Sequence, residues 1–107
     1  MARDDLYTQF DSVFFEKTRL SMMTILYREG RVSFNRFKYL IGASDGALYA
    51  HLQKLQEAGY ISQKKELVGK AVQTVYTLKK KGRELFQKYL SFLDDIVSEQ
   101  KKREASK

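Results

Sequence analysis

The sequence predicts a mainly α-helical single domain with a small β-hairpin. Three observations carry this: three successive segments that begin on a hydroxyl residue and stop at a glycine, a β-branched and aromatic stretch behind them, and a long amphipathic stretch towards the C-terminus. At 107 residues, 43% of them hydrophobic, the chain holds one compact domain with a modest core and is too short for two independent ones.

In residues 1–17, Leu6, Phe10, Val13 and Phe14 recur at i, i+4, i+7 and i+8 behind Asp4 and Asp5, which predicts a helix over about residues 4–16. Residues 18–59 then hold the segments Thr18 to Gly30, Ser33 to Gly42 and Ser44 to Gly59. A Ser or Thr side chain accepts a hydrogen bond from the orphan amides of a first helical turn, and glycine enters the left-handed region just past the last. Between these signals Leu20, Met23 and Leu26, then Phe34, Phe37, Leu40 and Ile41, then Leu48, Leu52 and Leu55 fall at helical spacing, predicting three short helices. The last two, within 33–59, are joined by a tight turn at Ile41-Gly42-Ala43, the pattern of a helix-turn-helix.

Residues 60–78 change character: Tyr60–Gln63 and Val72–Leu78, joined through Val68–Ala71, read as the two arms of a hairpin that must pack on the helices. A last helix is predicted over 79–103, with adjacent apolar pairs at Leu85-Phe86, Tyr89-Leu90, Phe92-Leu93 and Ile96-Val97. At about 100° per residue this stripe spans roughly 160°, wider than one packing seam needs. One part would cover the domain body and the other a second copy of the chain. The expected dimer interface is Leu6, Phe10 and Phe14 with Phe86, Tyr89, Leu90, Leu93, Ile96 and Val97.

The formal net charge is +7, and its placement is more informative than its size. Residues 1–30 and 82–107 together sum to zero, so the whole excess lies in 31–81. There Arg31, Arg36, Lys38, Lys54, Lys64, Lys65, Lys70 and Lys79–Lys81 face only Asp45, Glu57 and Glu66. Such a surface attracts a polyanion. With Leu48, Leu52 and Leu55 turned to the core, the opposite helical face presents Ser44, Asp45, Gly46, Tyr49, Ala50, Gln53 and Lys54. A Gln amide can read adenine, a Tyr can pack on a thymine methyl or bind phosphate, and Gly46 near a helix N-terminus serves either close backbone approach or close helix packing.

The stretch Ser44-Asp45-Gly46-Ala47-Leu48-Tyr49-Ala50-His51-Leu52-Gln53-Lys54-Leu55-Gln56-Glu57-Ala58-Gly59-Tyr60-Ile61 resembles the recognition helix and first wing strand of single-domain winged-helix regulators related to the ArsR and MarR groups. Thr18–Met23 before it, and Thr74–Leu78 with Gly82–Phe86 after it, extend the resemblance over about residues 17–90. The resemblance implies a winged helix-turn-helix with extra N-terminal and long C-terminal helices. It also implies a prokaryotic, cytoplasmic transcriptional regulator, a homodimer that places one recognition helix per subunit in successive major grooves of double-stranded DNA. The hairpin would be the wing, touching phosphates or the minor groove, and Arg36, Lys38, Lys64, Lys65, Gly69, Lys70 and Gln73 would make the backbone and wing contacts. Where that family commonly starts its last helix on a hydroxyl residue, this chain has Lys79.

Other chemistry finds little support. There is no cysteine, and the single histidine, His51, lies beside the leucine face, so a packing role outweighs metal ligation and no metal or cofactor is expected. Asp94 and Asp95 point about 100° apart on a helix and read as a solvated face. The Tyr and Phe residues fall mostly on apolar stripes and read as core. No Gly-rich phosphate loop, HExxH motif or Ser-His-Asp spacing is present, so an enzyme is not expected. No run of eighteen apolar residues exists, and the acidic start is unlike a signal peptide, which makes a soluble protein with no membrane partner the expectation. The run Lys79–Lys81 fits a phosphate contact or plain solvation equally well.

Overall fold

Side-chain caps and left-handed glycines set the ends of the central helices in the computed structural model, which describes residues 9–106. The order is α1 (Lys17–Glu29), β1 (Val32–Ser33), α2 (Phe34–Ile41), α3 (Asp45–Glu57), β2 (Ile61–Val68), β3 (Ala71–Leu78) and α4 (Lys80–Ala105). Ser33 Oγ accepts from the Arg36 amide at 3.0 Å, and Ser44 Oγ accepts from the Ala47 amide at 3.2 Å, so both predicted caps form. Gly42 ends α2 at φ 77°, a backbone angle that favours glycine. At α1 the cap is Glu16 and not Thr18: its carboxylate accepts from the Arg19 amide at 2.9 Å.

The helix predicted over 4–16 is departed from at residues 10–16, which form bends and turns; Gln9 is helical, and positions 4–8 lie outside the described residues. The cause is competition for the backbone. Asp11 Oδ1 accepts from the Phe14 amide at 2.9 Å, and the Asp11 carbonyl takes the Phe15 amide at 2.9 Å. The Arg19 guanidinium occupies the Val13 carbonyl at 2.6 Å and the Ser12 carbonyl at 3.2 Å, acceptors that a continuing helix would need. Arg19 is buried, and its remaining Nη1 donates to His51 Nδ1 at 2.8 Å. Because arginine only donates, that ring nitrogen is the acceptor. His51 therefore ties α3 to α1 and to the N-terminal segment, a structural role.

The sheet has three antiparallel strands in the order β1-β3-β2. β1 pairs Val32 with Tyr76 and Ser33 with Val75; two residues leave no alternation to read in a sequence. The hairpin arms run longer than predicted, closing at Val68 opposite Ala71 through a two-residue turn in which Gly69 has φ 63°. Lys64–Val68 looks unlike strand because it is mostly exposed, yet it is paired along its whole length.

The core gathers Met22, Met23 and Leu26 of α1, Phe37 of α2, Leu48, Leu52 and Leu55 of α3, Ile61 and Tyr76 of the sheet and Phe86 of α4. Phe10 and Phe14 join it. The two rings lie 5.5 Å apart, and Tyr89 stands edge-on to both at 5.6 Å. This corrects the expected dimer interface: Phe10, Phe14 and Phe86 are buried inside their own chain, Tyr89 is half-buried, and Leu6 lies outside the described residues. Leu90, Leu93, Ile96 and Val97 are exposed along α4.

α4 is seated on the backbone of Tyr60. The Lys79 amide donates to the Tyr60 carbonyl at 2.9 Å, and a Cβ at Gly82 would lie 2.2 Å from that same oxygen. Gly82→Ala is therefore expected to lower unfolding stability by about 2 kcal/mol, the overpacking penalty exceeding the helix-propensity gain. Urea titration reads this, and an unchanged midpoint would mean that α4 does not rest on Tyr60.

Candidate nucleic-acid interface

The spacing of three leucines orients α3. Leu48, Leu52 and Leu55 are buried at i, i+4 and i+7, so the remaining arc of the helix is turned out to solvent. Ser44, Asp45, Gly46, Tyr49, Ala50, Gln53 and Lys54 all lie on it and all are exposed, so the structure brings this predicted set onto one face.

Several of the exposed side chains have a local reason for their pose. Asp45 Oδ1 is 3.0 Å from Lys38 Nζ, an ion pair that links α2 to the first turn of α3 and offsets the carboxylate's charge on this face. The Tyr49 ring stacks on Phe34 at 4.1 Å with the planes 13° apart, while 51% of the residue stays exposed. Gln53 Nε2 donates to Glu57 Oε2 at 3.2 Å, one helical turn on, which holds the amide along the helix surface. At Gly46 an added Cβ would meet nothing within 4 Å. Close packing does not explain that glycine, which leaves room for a ligand to approach the backbone.

Behind this face, Tyr76 is fully buried with its ring 5.9 Å from Phe37. Burial, with a smaller contribution from Tyr49, pushes its phenol up to about 12. Its hydroxyl has no hydrogen-bond partner among the described residues. Ring packing is what places this residue.

The wing and backbone set divides. Strand alternation puts Lys64 and Lys65 on opposite faces of the ribbon, opposite Val75 and Thr74 respectively. Lys64 lies 3.8 Å from Glu66, which also accepts from Arg31. These residues line a shallow groove of about 410 Å³ on the outer face of the sheet, with Ser62, Gln63, Val75 and Thr77. Gln73, opposite Glu66, is half-buried. Arg36 makes two hydrogen bonds to Glu29, at 3.2 and 3.0 Å. Those bonds hold the Glu29 carboxyl below its ordinary range and the guanidinium above its own. Lys65 and Lys70 are exposed, and no ion pair of theirs is present among the described residues.

Sequence reasoning also missed how the C-terminal end of α3 is held. Lys81 Nζ donates to the Ala58 carbonyl at 2.8 Å and stands 5.2 Å from the centre of the Tyr60 ring, so one member of the Lys79–Lys81 run closes a helix end. Lys79 makes no side-chain cap bond to α4. The Tyr60 hydroxyl donates to Asp11 Oδ2. Burial opposes ionisation at Asp11, but the bonds from Tyr60 and from nearby amides outweigh it and hold the carboxyl below its ordinary value, while burial first and Asp11 second raise the Tyr60 phenol. The signal for this contact was a lone Asp beside a phenylalanine pair, which has no characteristic spacing to Tyr60.

Among the described residues no helix is long and apolar enough to cross a membrane, and no group of three or more His, Cys, Asp or Glu is arranged around a metal site.

Comparison with known proteins agrees with this architecture. An uncharacterized protein of Methanocaldococcus jannaschii is 32% identical over 78 residues, 73% of this chain and 85% of that one. A transcriptional regulator homologue from Pyrococcus horikoshii superposes with a TM-score of 0.75 at 21% identity, covering 89% of this chain and 95% of that one. PadR of Bacillus subtilis, solved in complex with operator DNA, superposes with a TM-score of 0.60 at 21% identity over 70% of this chain and 48% of its own. The model of the winged helix DNA-binding domain matches residues 18–97, from α1 through most of α4, and the chain belongs to that family.

Proposed function

We propose that the protein is a sequence-specific transcriptional regulator that binds double-stranded DNA as a cytoplasmic homodimer and acts by binding, not catalysis. The observation that carries this reading is the outward face of α3, where seven polar or small residues are exposed together and Gly46 leaves the backbone open. Membership of a DNA-binding family supports it, and so does the likeness to a PadR solved on its operator. Gln53 is the adenine reader and Tyr49 a methyl or phosphate contact. Ser44 and the amides around Gly46 approach phosphate at a helix N-terminus, and Lys54 lies alongside. Lys65 and Lys70 of the wing add attraction that does not depend on sequence, and Arg36, Lys38 and Lys64 contribute by exchanging carboxylate partners for phosphate.

Dimerisation uses the stripe Leu90, Leu93, Ile96 and Val97 of α4, which stays exposed among the described residues. A two-fold pair of such helices sets the two recognition helices against half-sites about 34–36 Å apart. In sedimentation at micromolar concentration the wild type is expected to run as a dimer and Ile96→Glu as a monomer. A wild-type monomer would remove the two-half-site arrangement.

Selection of bound duplexes from a random pool tests the whole reading, with enrichment of an inverted repeat expected. An unenriched pool would point to an architectural protein, and no duplex retained at low salt to a protein-binding adaptor. Gln53→Ala is expected to relax preference at one position, losing about 1–3 kcal/mol of discrimination, whereas Lys70→Ala weakens all sequences evenly and lowers the salt slope by about 1. Gly46→Ala separates folding from binding. Its thermal stability should match or exceed the wild type by up to about 1 kcal/mol, because alanine is the better helix former, while DNA affinity falls. Undiminished affinity would place phosphate elsewhere.

A further inference from the structure

We propose that His51 is a proton switch beneath the outward face of α3, holding that face for DNA while neutral and releasing it when protonated. The assignment rests on the DNA-binding reading above. His51 is the only histidine of the chain, and it follows Ala50 of the outward face and precedes Leu52 of the core. Its Nδ1 accepts from Arg19 Nη1 at 2.8 Å. The rest of that guanidinium is committed, since Nε donates to the Val13 carbonyl at 2.6 Å and Nη2 to the Ser12 carbonyl at 3.2 Å. The Arg19 side chain is only 10% exposed, so bulk water does not simply replace a partner lost there.

A proton on Nδ1 turns this contact from attraction into conflict. The ring nitrogen becomes a donor facing a donor, with two cations at hydrogen-bond distance, and the guanidinium keeps its own protons. The acceptor within reach is Glu16, whose Oε1 lies 3.6 Å from the same nitrogen. Burial opposes ionisation at Glu16, but bonds from the Arg19 and Thr18 amides, with the charges of His51 and Arg19, hold its carboxyl below the ordinary value. It is therefore a carboxylate throughout the range in which imidazoles titrate. The same Oε1 caps α1 by accepting from the Arg19 amide at 2.9 Å. A ring drawn towards Glu16 thus competes for the cap of α1 and leaves Arg19 without its partner on α3. The join between α1, residues 10–16 and α3 opens at one point, and Gln53 and Lys54, two and three residues further along α3, move with it. Among the described residues Arg19 and Glu16 are the charged side chains paired with His51. Asp11 is engaged by the Phe14 amide and the Tyr60 hydroxyl, and Lys54, one turn along α3, is exposed on the outward face. Plain electrostatics has the opposite sign: added positive charge alone strengthens attraction to DNA, whereas the switch weakens binding as the pH falls.

Fluorescence anisotropy on one duplex selected by the wild type tests this, run from about pH 7.5 down to about pH 5.5 at constant ionic strength. The wild type is expected to lose about tenfold in affinity over that range. H51Q, whose amide oxygen still accepts from Arg19 but takes up no proton, should match the wild type at the upper end and stay flat. E16Q, which removes the carboxylate that receives the imidazolium, should move the loss to lower pH. Long-range proton–nitrogen NMR of the wild-type ring at the upper end should show Nδ1 bare and Nε2 protonated, a readout that needs no variant to fold. Parallel losses in wild type and H51Q, tighter wild-type binding in acid, an unmoved E16Q profile or a proton on Nδ1 at the upper end would each overturn the switch. So would loss of helical circular dichroism by the lower end, which would make the effect plain unfolding. A wild type that retains no duplex at the upper end would overturn the DNA-reading proposal itself, while the NMR would still report the Arg19 contact.

Discussion

Tyr60 stands where four parts of the chain meet, and the placement of the interface depends on it. Its amide donates to the Leu55 carbonyl at 3.0 Å and closes α3, its carbonyl accepts from Lys79 at 2.9 Å and starts α4, and its hydroxyl reaches Asp11. The ring lies beneath Lys81, whose ammonium in turn satisfies the end of α3. Wing, outward helix and long C-terminal helix are thus referred to one residue, and a change in its position shifts all three together. Gly82 permits the arrangement by letting α4 touch that carbonyl.

The charge surplus that marks the middle of the chain is smaller in effect than in number. Arg36, Lys38 and Lys64 each face a carboxylate: Glu29, Asp45 and Glu66. Exposed pairs of this kind add little stability. Their consequence is positional, since a cation held beside a carboxylate must exchange partners before it can serve a phosphate. Lys65 and Lys70 of the wing need no such exchange, and neither does Lys54 of α3, since no ion pair of theirs is present among the described residues. The Lys38–Asp45 pair also explains how an acidic residue is tolerated in the first turn of a helix meant for a polyanion, where it complements the helix dipole as well.

Aromatic packing narrows the surface left for a second subunit. Phe10 and Phe14 fold back onto Tyr89 and Phe86, so the C-terminal helix spends its first three turns on its own domain. The aliphatic residues farther along, from Leu90 to Val97, remain exposed. One helix thereby carries two surfaces of different chemistry, aromatic towards the body and aliphatic towards solvent.

The sequence by itself determined whatever is local. Hydroxyl and glycine punctuation, with leucines at i, i+4 and i+7, located α2 and α3 and told which side of α3 is turned out, because capping and helical periodicity act over a few residues. The family resemblance was legible for the same reason. Only the tertiary structure decided that Arg19 draws residues 10–16 out of helix, that two residues of β1 complete the sheet, that Gly46 is open while Gly82 is filled, and that Lys64 and Lys65 part company across the ribbon. These depend on pairings between residues far apart in the chain, where register and close approach are settled by the geometry of the partner and leave no repeat in the sequence.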